Sequence, residues 1–310
     1  MPSDNLLIIL GATASGKTKL AVSIADELNA EIISADSRQV FKGMDIGTGK
    51  DLAEYKVGEK EIPYHLIDII NAGEKYNVNT FKDDFFDALK AITQHNKLPI
   101  LCGGTGMYIH ALLQNHQLTA IPINEILREK YINYDKVALQ KILNQYPKEL
   151  TAHADFSSSK RLIRAIEIAE YLKNHELSTV IRQKFNPLII GLNSDVELRR
   201  ERILKRLNHR LNNGLIEEVE TLLANGVDHQ ILTFYGLEYK FVVSFLQNEY
   251  DLATLKERLG IAICQFAKRQ MTFFRKMEKD GVEIIWLNAD QDFKAIKNNS
   301  LKLIDSYFKA

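Results

Sequence analysis

A chain of 310 residues, 45% hydrophobic and 26% charged with modest glycine and proline, has the makeup of an ordinary globular protein and not of a disordered or fibrous one. Its 40 basic and 40 acidic side chains cancel, which excludes a uniform positive field, so any RNA contact has to come from a local basic patch. Two cysteines, Cys102 and Cys264, lie far apart without metal-ligand spacing; they suggest neither a disulfide framework nor a zinc site, and a reducing cytoplasm is the expected setting.

This length allows one large core or two smaller ones, and a main domain carrying an insertion is expected. The start is uncharged to acidic, and the apolar run that follows, residues 6–10, is far shorter than a signal-peptide core or a membrane span. It reads as a buried strand, and no membrane association is expected. A glycine-bearing loop and a helical pattern over 17–28 follow, giving strand, loop and helix in that order. Residues 31–35 form a second strand that delivers Asp36 at its carboxyl end.

Apolar runs at 65–70, 98–102, 188–192 and 282–287 read as further strands. Between 79 and 95, Phe81, Phe85, Leu89 and Ile92 recur at helical spacing and form one core-facing stripe. Residues 113–176 show no strand, and Leu139, Ile142, Leu143, Leu162, Ile163 and Ile166 mark helices, the last starting at an N-cap among Ser157, Ser158 and Ser159. The stretch 195–277 is nearly all helix, broken at 212–214, 225–226 and 235–236. Strands alternating with helices predict a parallel sheet covered on both faces.

Gly11, Ala12, Thr13, Ala14, Ser15, Gly16, Lys17 and Thr18 match G-x-x-x-x-G-K-[ST] between a strand and a helix, the context this phosphate-binding loop requires. The glycines admit phosphate oxygens close to the backbone, the helix N-terminus supplies donors, Lys17 a point charge, and Thr18 a hydroxyl for a magnesium ion. The expected fold is therefore α/β, a P-loop NTPase-like parallel sheet flanked by helices, with a core of 1–112 and 177–310 and a helical insertion at 113–176.

A P-loop does not say which molecule carries the phosphates. Nucleoside triphosphate hydrolases and kinases place an acid at a nearby strand end to hold magnesium. Here the strand 98–102 runs into Gly103, Gly104, Thr105 and Gly106 with no carboxylate, and Asp68 is the candidate substitute. Asp36 stands at the sheet edge where ligands of open parallel sheets bind, as a magnesium ligand, an acceptor for an incoming nucleophile, or a turn former.

Three segments in order, GATASGKT, DSRQVFKGMDIGTGK (36–50) and GGTGMY (103–108), with Lys268-Arg269-Gln270 in a C-terminal helix, resemble the successive signatures of the tRNA dimethylallyltransferase family. The resemblance spans residues 6–280. It implies that dimethylallyl diphosphate occupies the P-loop in place of a nucleotide, and that the acceptor is the exocyclic amine of the adenosine 3′ of the anticodon, in tRNAs reading codons that begin with U. By the same resemblance Asp36 takes a hydrogen bond or proton from that amine, while Lys17, Thr105 and an arginine stabilise the departing diphosphate, with Mg2+ at Thr18. Arg199, Arg202, Arg206 and Arg210 fall within one helical arc; the family's arginine-containing helix favours Arg206, with Arg202 second.

The expected partner is a tRNA anticodon stem-loop whose adenine leaves its stack. Ser37, Arg38 and Gln39, next to Asp36, and Thr105 are placed to meet the flipped nucleotide. Arg128, Lys160, Arg161 and Arg164 in the insertion, and Lys268 and Arg269, form local basic patches for RNA phosphates. Residues 233–239 partly follow a glycine-tyrosine pattern of the bacterial enzymes. No Cys/His zinc-finger extension follows, so the resemblance is to the bacterial type; a cytoplasmic monomer is expected. A small-molecule kinase using ATP, an adenylate isopentenyltransferase and a non-catalytic RNA-binding switch remain the alternative readings.

Overall fold

Strand β1 (Asn5–Gly11) is buried along its whole length. Leu6, Ile8 and Leu10 enter one hydrophobic cluster while Leu7 and Ile9 enter another, the alternation a strand imposes when a sheet is covered on both faces. The computed structural model describes residues 4–114, 116–177 and 182–309; the extreme N-terminal part of the polar start lies outside them.

Helix α1 (Lys17–Leu28) leads to β2 (Glu31–Ser34). A small antiparallel hairpin, β3 (Lys56–Val57) and β4 (Lys60–Glu61), precedes the short β5 (Tyr64–His65). Helix α2 (Val78–Gln94) starts where the Asn77 side chain accepts from the amides of Asn79 and Thr80, and it buries Phe81, Phe85, Leu89 and Ile92. Strand β6 (Pro99–Gly103) and α3 (Gly106–Leu113) follow.

Four helices come next: α4 (Glu125–Tyr131), α5 (Lys136–Leu143), α6 (Lys148–Thr151) and α7 (Ser159–Asn174), the last capped by Ser158. The chain returns through β7 (Asn186–Asn193), α8 (Val196–Asn212), α9 (Leu215–Ala224), α10 (His229–Tyr235), α11 (Leu237–Leu246) and the long α12 (Leu252–Lys279), and closes with β8 (Ile285–Asn288) and α13 (Phe293–Lys309).

Six strands form one parallel sheet in the order β5-β2-β6-β1-β7-β8. The strands leading into the three sequence signatures, β2, β6 and β1, are thus neighbours, and their carboxyl ends open on one edge, where open parallel sheets bind ligands. The chain divides into two compact units, Met1–Leu113 with Gln183–Ala310, and Gln114–Arg182. The second has its own core of Tyr131, Leu139, Leu143, Leu162, Ile163, Ala165 and Ile166. No helix among the described residues is long and apolar enough to cross a membrane.

The sheet departs from the periodicity in two places. The run 65–70 is strand only at Tyr64–His65, because Leu66 and Asp68 adopt left-handed backbone (φ 62° and 56°) and Asp68 is drawn onto the Lys50 ammonium. The run 282–287 becomes strand only from Ile285: Gly281 (φ 89°) turns the chain and the Val282 amide closes on the Met277 carbonyl, so the first apolar residue finishes α12. The helical stretch also breaks at 247–251, where Asn248 is left-handed and Asp251 caps α12, an interruption that carries no glycine or proline.

Candidate active site

The P-loop leaves β1 and winds through left-handed Ala14 (φ 61°) and Gly16 (φ 82°) into α1. Gly16 occupies the N-cap and brings no side chain to the first turn of the helix, so the helix's positive end is left to an external anion. Gln270 of α12 fixes the loop from behind. Its Oε1 accepts from the Thr13 amide at 2.9 Å and its Nε2 donates to the Gly104 carbonyl at 2.9 Å. The signature glycines serve this packing. A side chain at Gly104 would run into Gln270, and one at Gly103 into the Ala35 carbonyl.

Asp36 follows β2 by two residues. Its Oδ1 accepts from the Arg38 amide at 2.9 Å, and the Thr105 hydroxyl oxygen accepts from the Ser37 amide at 3.1 Å. Gln39 takes the Ser34 hydroxyl on its Oε1 and donates to the Gly49 carbonyl. Between these segments lies a cavity of about 380 Å³. Thr13, Lys17, Thr18, Asp36, Ser37, Arg38, Gln39, Thr105, Arg206 and Arg269 all line it. Ala14, Ser15 and Gly16 face a smaller hollow that Arg202 also lines, and Gly11 packs its Cα against Ser15 and the Leu192 carbonyl. Ala12 is buried in the core, and Lys268 is exposed on α12.

The arginine arc on α8 splits. Arg206 and Arg210 reach the cavity, whereas Arg202 pairs with Asp290 at 2.8 Å and Arg199 is buried. A shared arc does not mean a shared height: at ~1.5 Å per residue the four positions spread over about 16 Å along the axis. Arg210, not Arg202, is therefore the companion of Arg206. Both guanidinium groups lie over Gly49, where any side chain would collide with them. Arg206 pairs with Asp51 and donates to the Gly49 carbonyl. Arg210 lies 4.0 Å from Asp51 and 3.8 Å from Glu238, but its Nε and Nη2 are buried without a hydrogen-bond partner, a costly arrangement for donors.

The 36–50 segment is braced from within. The Glu218 carboxylate of α9 accepts from the amides of Asp45, Ile46 and Gly47 at 2.7, 2.6 and 2.9 Å, and from the Tyr239 hydroxyl at 2.8 Å. Gly47 lets the Tyr239 ring approach; a Cβ there would lie 2.6 Å from it. Lys50, buried, donates to the Phe41 carbonyl and to Asp45 and pairs with Asp68. Asp68 is thereby committed to the loop and does not line the cavity beside the P-loop.

Burial pulls the Lys17 ammonium below the usual lysine range, against the pull of the nearby Asp36. An anion beside it would reverse that shift. Burial pushes the thiol of Cys102, which also lines the cavity, up to about 12, leaving it neutral. Burial also raises Glu238 and lowers Arg38.

In the insertion unit, Arg128 and Arg164 both grip Glu167, whose side chain is buried, and Arg164 also donates to the Leu118, Ile121 and Pro122 carbonyls. Those two side chains hold the insertion together. Lys160 is exposed, and Arg161 pairs with Asp155 at the surface. Sequence reasoning missed Gln270, Glu218, Glu238 and Tyr239. Gln270, inside the quoted Lys268-Arg269-Gln270 triplet, and Glu238 and Tyr239, inside the 233–239 segment, carried a signal; Glu218 carried none.

Comparison with known proteins finds relatives along nearly the whole chain. The family model described as IPP transferase matches residues 39–277. The chain is 50% identical over 289 residues to the tRNA dimethylallyltransferase 1 of Parabacteroides distasonis, covering 93% of this chain and 94% of that protein. It is 50% identical over 284 residues to the tRNA dimethylallyltransferase 2 of Porphyromonas gingivalis, covering 92% and 94%. Among solved structures, the tRNA isopentenylpyrophosphate transferase of Bacillus halodurans superposes with a TM-score of 0.70 at 30% identity, over 99% of this chain and 98% of that one. A eukaryotic dimethylallyltransferase acting on tRNA shares the fold, with a TM-score of 0.76 at 22% identity over 97% of this chain and 78% of its own.

Proposed function

The chain belongs to the IPP transferase family, and from that premise we propose that it moves a dimethylallyl group from dimethylallyl diphosphate to a tRNA. The acceptor is the exocyclic amine of the adenosine 3′-adjacent to the anticodon, in tRNAs reading codons that begin with U, and diphosphate is released. The observation that carries this reading is the convergence of Lys17, Thr18, Asp36, Thr105 and Arg206 on one cavity. It pairs a cationic, donor-rich wall with the Asp36 carboxylate, while Glu238, which also lines the cavity, is raised by burial.

As the allylic carbon–oxygen bond breaks, negative charge grows on the diphosphate. Lys17, the amides at the start of α1 and Arg206, with Arg210 beside it, meet that charge where burial keeps water from screening it. Arg210, whose Nε and Nη2 lack a hydrogen-bond partner, lines the same cavity and is assigned to the leaving group as a further cation. Asp36, with one oxygen already held by the Arg38 amide, accepts a proton from the adenine amine as its nitrogen bonds to the allylic carbon. The Thr105 hydroxyl, oriented by the Ser37 amide, has its own proton to give to a diphosphate oxygen.

A magnesium ion suits the oxygen donors here. Among the described residues no cluster of three acidic, histidine or cysteine side chains could hold a metal, so the ion would sit on the Thr18 hydroxyl and the diphosphate oxygens, neutralising charge on the leaving group. Lys268, Arg269, Lys160 and Arg161 are assigned to RNA phosphates, and Arg38 and Gln39 to the extruded nucleotide.

Acceptor competition tests the reading. With labelled dimethylallyl diphosphate, magnesium, unmodified tRNA and AMP in one reaction, the label is expected in tRNA adenosine. Label appearing in AMP instead would make the chain an adenylate prenyltransferase.

A further inference from the structure

Two phenylalanines at the cavity do no core packing. Phe234, at the end of α10, is 75% exposed, and Phe266 on α12 is 42% exposed; both line the cavity. The neighbouring Tyr235 shows the contrast. It is buried against Phe41, donates its hydroxyl proton to the Glu74 carbonyl and accepts from the Gly73 amide. A lone exposed aromatic is ordinary. Here, however, each ring has a guanidinium over it: Arg38 at 5.6 Å from the Phe234 centroid and Arg269 at 5.9 Å from that of Phe266. Arg38 also donates to the Phe234 carbonyl at 3.0 Å, which ties the ring's backbone to the segment after Asp36.

We propose that Phe234 and Phe266, each backed by its arginine, are stacking platforms for the nucleobases of a single-stranded RNA loop entering this cavity. Proteins that hold single-stranded nucleic acid combine aromatic faces for bases with cations for the backbone, and Arg38, Arg269 and Lys240 supply cations on the same lining. An apolar peptide would match the rings but not this charge. Stacking tolerates any base, so these rings hold the strand while selection of adenosine stays with the groups around Asp36. The inference rests on the tRNA reading of the site.

The test uses anticodon stem-loop RNAs carrying 2-aminopurine, whose fluorescence is quenched by stacking, in turn at the modified position and at each flanking one. Binding to the unaltered protein is expected to quench at least one of these labels. Phe234→Leu and Phe266→Leu keep an apolar side chain but lose the ring. Each is expected to relieve the quenching and weaken RNA binding about 5- to 150-fold, while Phe234→Tyr retains both and the affinity for inorganic diphosphate stays constant. Unchanged quenching and affinity in both leucine variants would overturn the proposal, and so would weaker binding with quenching intact. Absence of prenylated adenosine with the unaltered protein would count against the tRNA transfer reading alone, since the fluorescence reads stacking without transfer.

Discussion

Two loops bordering the same cavity treat backbone amides in opposite ways. The turn at Asp45, Ile46 and Gly47 points three amides at one carboxylate, Glu218, supplied by the protein itself. The P-loop enters α1 through Gly16, with no side-chain cap and no acidic residue in the first turn. Both are anion-binding arrangements of amides. One is answered internally and serves as a strut; the other meets no side-chain cap or first-turn acid and is the loop to which the proposed donor is assigned. The difference separates groups that hold the cavity's shape from groups that do its chemistry.

The largest effect is expected at Asp36, between the two loops. Asp36→Asn keeps the size but removes the proton acceptor, and transfer at saturating substrates should fall about 100- to 10,000-fold with donor and tRNA affinities changed much less. If full speed returned on adding more magnesium, Asp36 would be a metal ligand instead. Next comes Lys17→Ala, on the ligand-facing loop, with a loss of about 100- to 1,000-fold in transfer and a nearly unchanged melting temperature. Because burial lowers the Lys17 pKa and a diphosphate raises it again, binding should take up protons at pH values between the lowered and the raised pKa, and diphosphate affinity should fall as pH rises through the lowered value. Calorimetry in buffers of different ionisation enthalpy reads this, and no proton uptake would remove Lys17 from the diphosphate.

Glu218→Ala should behave the other way round from Lys17→Ala. It strips partners from three amides and a hydroxyl, and chemical denaturation should show a loss of about 2 kcal/mol, the melting temperature falling with it. A Glu218 variant as stable as the parent protein would erase the contrast between strut and site. The smallest effect is expected for Arg269→Ala, which should reduce the salt slope of tRNA binding by about one unit while leaving diphosphate affinity alone. An unaltered slope would take Arg269 off the RNA.

Much of the fold was legible because it is written locally. The buried run of β1, the glycine-lysine loop after it and the amphipathic stripe of Phe81, Phe85, Leu89 and Ile92 depend on neighbours close in sequence. Several departures came where residues distant in sequence decide, although those at 281–282 and 247–251 were local turns. The 65–70 run is bent by a lysine at position 50, and the choice between Arg202 and Arg210 depends on height along α8 relative to Gly49. Glu218 was invisible for the same reason: it looks like one more acid on a helix, and only the fold brings it to amides over 170 residues away. Gln270 differs, since a polar residue in a quoted signature was visible, but its task of joining the P-loop to the Gly104 carbonyl was not.

The most direct measurement follows the allylic group itself. The protein is incubated with labelled dimethylallyl diphosphate, magnesium and unmodified tRNA, in parallel with and without ATP, and the RNA is digested to nucleosides. The account predicts label in one adenosine per tRNA, an equal amount of diphosphate released, and no dependence on ATP. ATP turnover with all the label left in dimethylallyl diphosphate would contradict it and make the P-loop a nucleotide site.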